Sequence, residues 1–116
     1  MSATFETAQV QKAHVKALDA AQQAAKAFAD KHMGGRDAGP CGFAWVDVYK
    51  VRSNSKMGKA LAEVGFRKSY QGSLQLWNKW WPGQSIDAAE HGATAYAIVM
   101  KQELGLESCY AGSRLD

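Results

Sequence analysis

From about Thr4 to His32 the chain runs with no glycine or proline, and alanine is its commonest residue. Alanine is the best helix former, and Phe5, Ala8, Val15, Leu18, Ala25 and Phe28 recur at roughly helical spacing. The run therefore predicts one helix, closed by Met33-Gly34-Gly35. At 1.5 Å per residue such a helix is ~40 Å long. That exceeds the diameter expected of a domain of 116 residues. The helix must then project, bend, or pack against a second subunit. Its stripe is thin and alanine-rich, which suits close helix–helix approach. The expectation is a homo-oligomer formed through this helix.

The rest of the chain reads as one α+β unit. Gly34 to Pro40 is a turn-rich linker. Gly42 to Arg52 reads as the central strand, with almost no polar position. Because both faces are apolar at its start, both are expected to be covered. Asp47 interrupts the face carrying Phe43, Trp45 and Tyr49. Arg52-Ser53-Asn54-Ser55 offers capping groups to a short helix with a Met57, Ala60, Leu61, Val64 stripe, ended by Gly65.

Phe66 to Asn78 reads as a hairpin with two possible registers. A two-residue loop at Gln71-Gly72 puts Arg67 and Ser69 on the face of Leu74 and Leu76. A three-residue loop at Tyr70-Gln71-Gly72, with Gly72 left-handed, pairs Phe66 with Leu76 instead. The second is preferred, because it gathers the apolar residues on one face and leaves Arg67, Ser69, Ser73, Gln75 and Trp77 on the other. After the Lys79–Gln84 loop, Ser85 or Asp87 can cap a third helix running to Leu104, with Ala89, Gly92, Ala93, Tyr96, Val99 and Met100 buried. Ser108 to Ala111 can add a short last strand.

The expected fold is thus α+β: a small, mainly antiparallel sheet built from the central strand and the hairpin. Two helices cover it, and a long N-terminal helix accompanies them. In residue terms this is 1–33 for the long helix and 41–116 for the α+β core, a single domain overall.

Charge is concentrated in the middle. Lys50, Arg52, Lys56, Lys59, Arg67, Lys68 and Lys79 stand against Glu63 alone, whereas the flanks are balanced or acidic. Phe66, Tyr70 and Trp77 lie in the same segment, with Trp80 and Trp81 just beyond. Positive charge beside flat rings is the composition of a surface that meets a nucleotide or a nucleic acid. The candidate ligand-binding residues are Arg52, Lys56, Lys59, Arg67 and Trp77: arginine forks onto phosphate, tryptophan stacks on a base, and the lysines add long-range attraction. The competing explanation is a solvated basic surface with Trp77 in the core. Of Trp80 and Trp81, one is expected to anchor the loop and the other to offer a contact for a protein partner.

Other chemistry is not indicated. There is no Walker-type phosphate loop, no G-x-S-x-G, and no metal-ligand spacing among His14, His32 and His91. Asp47 fits a buried acceptor better than a general base. Cys41 and Cys109 are not spaced as C-x-x-C and are expected as reduced thiols. No catalytic residue, metal or cofactor is expected. The polar, amphipathic N-terminus holds no apolar run suited to a signal peptide or a membrane span, so a cytoplasmic protein without membrane contact is expected.

Several pieces together carry a family likeness: Cys41-Gly42-Phe43-Ala44-Trp45-Val46, then Gly65-Phe66-Arg67-Lys68-Ser69-Tyr70 with Gly72 and Trp77-Asn78, an Ala/Gly-rich helix with Ala88, Gly92, Ala93 and Ala95, and Gly112-Ser113-Arg114-Leu115-Asp116. From Cys41 to Asp116 the chain resembles a group of small, uncharacterised proteins of tailed bacteriophages. That group usually places a proline and a small-residue loop after the asparagine, where this chain has Lys79-Trp80-Trp81. The resemblance implies a setting, the cytoplasm of an infected bacterium, and no activity. The functional expectation is a non-catalytic phage accessory protein binding a nucleotide or nucleic acid. The alternative is an inhibitor or adaptor acting on a host protein.

Overall fold

The computed structural model describes residues 5–32, 34, 39–78, 80–83 and 85–115. Met33, most of the Gly34–Pro40 linker, Lys79, Gln84 and the side chain of Phe5 lie outside the described residues. In chain order the elements are α1 (Phe5–His32), β1 (Gly42–Tyr49), α2 (Lys56–Glu63), β2 (Arg67–Lys68), β3 (Leu74–Trp77), α3 (Ile86–Leu104) and β4 (Ser108–Leu115). The strands form one sheet in the order β2-β3-β1-β4, each antiparallel to its neighbour. With α2 joining β1 to β2 and α3 joining β3 to β4, this is the split-βαβ connectivity, preceded by α1.

Local sequence explains most boundaries. The Ser55 side chain accepts from Gly58 N at 3.0 Å and caps α2. Ser85, rather than Asp87, caps α3. The β2–β3 hairpin takes the three-residue loop: Arg67 lies opposite Gln75, Lys68 opposite Leu74, and Ser69 N donates to Ser73 O. Gly72 at φ +86° supplies the left-handed turn residue. Phe66, Leu74 and Leu76 consequently reach the core together.

The long helix requires a correction. The stripe read from its sequence is not the buried one: Ala8 and Val15 are exposed, Leu18 and Phe28 are half-buried, and among its described side chains only Ala25 is fully buried. Val10, Ala13, Ala17, Ala21, Ala25 and Ala29 are buried within the chain, chiefly against α3, with α2 a second neighbour. The two backbones approach closely: a Cβ on Gly92 of α3 would lie 3.3 Å from Ala21 O. The molecule measures 45 × 27 × 24 Å, so its long dimension accommodates a helix of 28 residues at about 1.5 Å per residue. His14 Nδ1 and the Tyr96 hydroxyl, 2.6 Å apart, add a polar contact to this seam.

The sheet also differs from expectation in two ways. Among the described residues helices cover only one face: Ala44, Val46 and Val48 are sealed on that side, along with Leu74, Leu76 and Cys109. The other face is open, although the sequence of β1 is apolar there as well. Secondly, β4 is longer than Ser108–Ala111. It pairs with all of β1, from Tyr49↔Ser108 to Gly42↔Leu115. Gly112-Ser113 breaks the apolar pattern that would have revealed the extension.

Candidate nucleic-acid interface

Alternation along β1 builds the site. With Ala44, Val46 and Val48 turned to the helices, Phe43, Trp45, Asp47 and Tyr49 must face the other way. Register adds Gln75 and Trp77 from β3, and Tyr110, Gly112 and Arg114 from β4. The open face is therefore aromatic at its centre. Trp77, directly opposite Trp45, stacks on it with ring centroids 4.7 Å apart and planes at 24°. Phe43 stands 6.5 Å from Trp77. Trp77 remains 51% exposed and Phe43 44%.

The stack has a defined floor and a defined tether. A Cβ on Gly112 would lie 2.6 Å from Trp45 Nε1 and 2.7 Å from Cε2, so only glycine lets the indole lie over β4. Trp45 Nε1 donates to Asp47 Oδ2 at 2.9 Å, and the Ser73 hydroxyl donates to Asp47 Oδ1 at 2.8 Å. Asp47 is 8% exposed, and both of its oxygens accept hydrogen bonds. It is a positioning acceptor for Trp45, consistent with the buried-acceptor expectation. Trp77 Nε1 donates to Gln75 Oε1 at 3.0 Å. On the edge strand, the Lys101 ammonium sits 5.1 Å above the Tyr110 ring.

The structure distributes the five residues picked from sequence over three places. Trp77 lies on the open face, exposed, as the three-residue hairpin loop requires. Arg67 lies on the same face, opposite Gln75 and diagonal to Trp77. Its guanidinium, however, turns back, and Nη1 donates to Ala62 O in the last turn of α2 at 2.9 Å and to Phe66 O, just before β2, at 2.8 Å. Arg52 lies beyond the far end of β1. Together with Lys50, Lys68, Ser53 and Asn54 it lines a groove of about 580 Å³. Lys56 and Lys59 are exposed on α2, on the helical side of the sheet.

Sequence reasoning missed Phe43, Trp45, Tyr110 and Arg114 on the face, and Lys50 and Lys68 at the groove. The x-F-x-W-x-D-x-Y alternation was the available signal for the first pair. Lys50 carries a further mark: its φ of +63° is the left-handed region that non-glycine residues seldom occupy.

The loop after β3 is held by Trp80. This residue is buried, donates Nε1 to Ala44 O at 2.9 Å, and packs its ring 5.0 Å from that of Tyr96. Trp81 is half-buried beside it. Cys41 is exposed and Cys109 buried, and neither forms a disulfide. Burial pushes the Cys109 thiol up to about 12. Among the described residues there is no group of three or more His, Cys, Asp or Glu that could hold a metal ion, and no helix is long and apolar enough to cross a membrane.

No protein-family model, curated protein or solved structure matches the chain.

Proposed function

We propose that the open face of the sheet binds single-stranded nucleic acid. The observation that carries this reading is the pair of exposed rings, Trp77 and Phe43, standing on the two central strands of a face that none of the described helices covers. A four-stranded sheet presenting aromatic rings in this way takes unpaired bases by stacking. Duplex bases are already stacked and offer these rings nothing. Arg114, opposite Phe43 in β4, brings a cation to the same face. The Lys50, Arg52 and Lys68 groove lies at the far end of β1 and suits backbone phosphate. The resemblance to tailed-phage proteins would place this activity in the cytoplasm of an infected bacterium, as an accessory protein without catalysis.

The test is a tryptophan-fluorescence titration with oligothymidylate and oligouridylate at low and moderate salt. Quenching that saturates, with affinity falling steeply as salt rises, is the expected result. Unchanged fluorescence at low salt with both oligomers overturns the reading. It would turn attention to the competing one, in which the same Phe43–Trp77 patch docks a host protein. The observation favouring that second reading is the half-exposed apolar surface itself, with Phe43 at 44% and Trp77 at 51% exposure.

A further inference from the structure

At the end of β1 where Trp45 and Trp77 stack, the open face runs into a cleft of about 620 Å³. Phe43 and Trp77 belong to both. The remainder of the lining includes Cys41, Asn78, Trp80 and Trp81. Trp80 is its fixed wall, buried and bonded to the Ala44 carbonyl. The volume falls in the range of small-molecule sites, and most of the lining side chains are apolar. Rings on several sides select for a flat guest over a branched aliphatic one. Asn78 brings an amide to the lining, the type of group that reads a base edge.

We infer that this cleft takes one nucleobase from the strand lying on the open face, the base leaving the Trp77 surface and entering the space between Phe43, Trp77 and Trp81. The inference rests on the nucleic-acid reading of the face. It adds that one nucleotide is held by insertion and not by stacking alone. The occupant is a base and not a partner's side chain because the cleft continues the stacking face without a break: the rings that would carry one base form the rim that admits the next.

Cys41 makes the cleft testable in the unmodified protein. Cys41 is an exposed residue of the lining, whereas Cys109 is buried with a thiol that stays protonated at neutral pH. Iodoacetamide on the folded chain should therefore report on Cys41 alone. The experiment follows the rate of Cys41 alkylation and tryptophan fluorescence together, with a short oligothymidylate and with an abasic strand of equal length and charge. At a ligand concentration roughly ten times the Kd, the oligothymidylate should slow alkylation about tenfold. The abasic strand should not slow it. Quenching without protection would overturn the inference and leave the open-face reading standing. Equal protection by the abasic strand would overturn it too, because the backbone would then be what covers Cys41. Neither quenching nor protection would remove both readings.

Discussion

Replacing Gly112 with alanine tests the assembly of the aromatic face most directly. The new Cβ would meet the Trp45 indole at 2.6–2.9 Å on three ring atoms, closer than such contacts permit. The indole cannot yield freely. Asp47 holds its nitrogen at 2.9 Å and Trp77 stacks on its other side. Either β4 moves away from β1 or Trp45 leaves its place. Overpacking of this kind costs ~1–3 kcal/mol. If Trp45 rotates away, it forfeits a hydrogen bond to a charged group, itself worth ~1.5–3 kcal/mol. For a domain of 116 residues, an unfolding entropy of ~2.1 cal/mol/K per residue makes 1 kcal/mol about 4 °C. The melting temperature should then fall by roughly 4–12 °C. Thermal unfolding gives that number, and circular dichroism of the stacked indole pair shows whether Trp45 has left Trp77. The oligothymidylate titration should weaken in parallel. A Gly112→Ala protein with unchanged melting temperature and unchanged indole coupling would refute the reasoning, since Trp45 would then not rest on that glycine.

Three further outcomes follow from other parts of the structure. Lys50→Gly with Arg52→Ala and Lys68→Ala should make the salt dependence of oligonucleotide binding shallower by ~2 in log–log slope, at ~0.7 per phosphate lost. Stability should change little, because all three side chains are exposed and the Lys50–Glu107 ion pair is a surface contact; an unchanged slope would remove the groove from the binding surface. Arg67→Ala should cost stability more than binding, ~1 kcal/mol for each hydrogen bond to the backbone that is lost, and a large loss of affinity with an unchanged melting temperature would show that the guanidinium serves the ligand instead. Burial lowers the His14 pKa below 6.5, so the folded state takes up its proton less readily than the unfolded one. The associated stability is present above the unfolded pKa and is lost as pH falls below it. His14→Asn, which keeps an acceptor for the Tyr96 hydroxyl, should flatten the decline between neutral and mildly acidic pH, as followed by thermal melts.

The legible parts of the fold were those decided by neighbours in sequence. Phe66, Leu74 and Leu76 can share a face in only one hairpin register, so their pattern chose the loop, and with it the outward position of Trp77. Serine before each of the two later helices marked their caps. The parts that stayed hidden depend on partners far away in the chain. The alanine content of α1 signalled close packing but not which alanines or against what: the buried stripe runs through Ala13, Ala17, Ala21 and Ala29 beside Ala25, and α3 in the same chain answers it. β1 looked apolar on both faces because Trp45 is both a surface ring and a packed one. Its inner edge is satisfied by Gly112, from a strand whose glycine and serine disguise it. The basic residues cluster in sequence between 50 and 68, yet α2 and the hairpin carry them to different sides of the sheet. A charge run reports composition, and only the topology reports which cations share a surface.

The β1–β4 pairing has a consequence for how the protein folds. The β2–β3 hairpin closes a loop of three residues, and α2 forms within one short segment. Gly42 opposite Leu115, by contrast, joins one of the longest loops the chain contains, and closing it carries a far larger entropic cost than the hairpin before any contact repays it. Trp45 settles over Gly112 only once that loop is closed. The hairpin that bears Trp77 can therefore exist early, while the paired indoles arrive with the final step. Quenching or coupling of the indoles would then serve as a kinetic clock for complete folding, and an intermediate lacking β4 would present Trp45 and Phe43 to solvent beside an unpaired strand edge, the form of this chain most prone to aggregate.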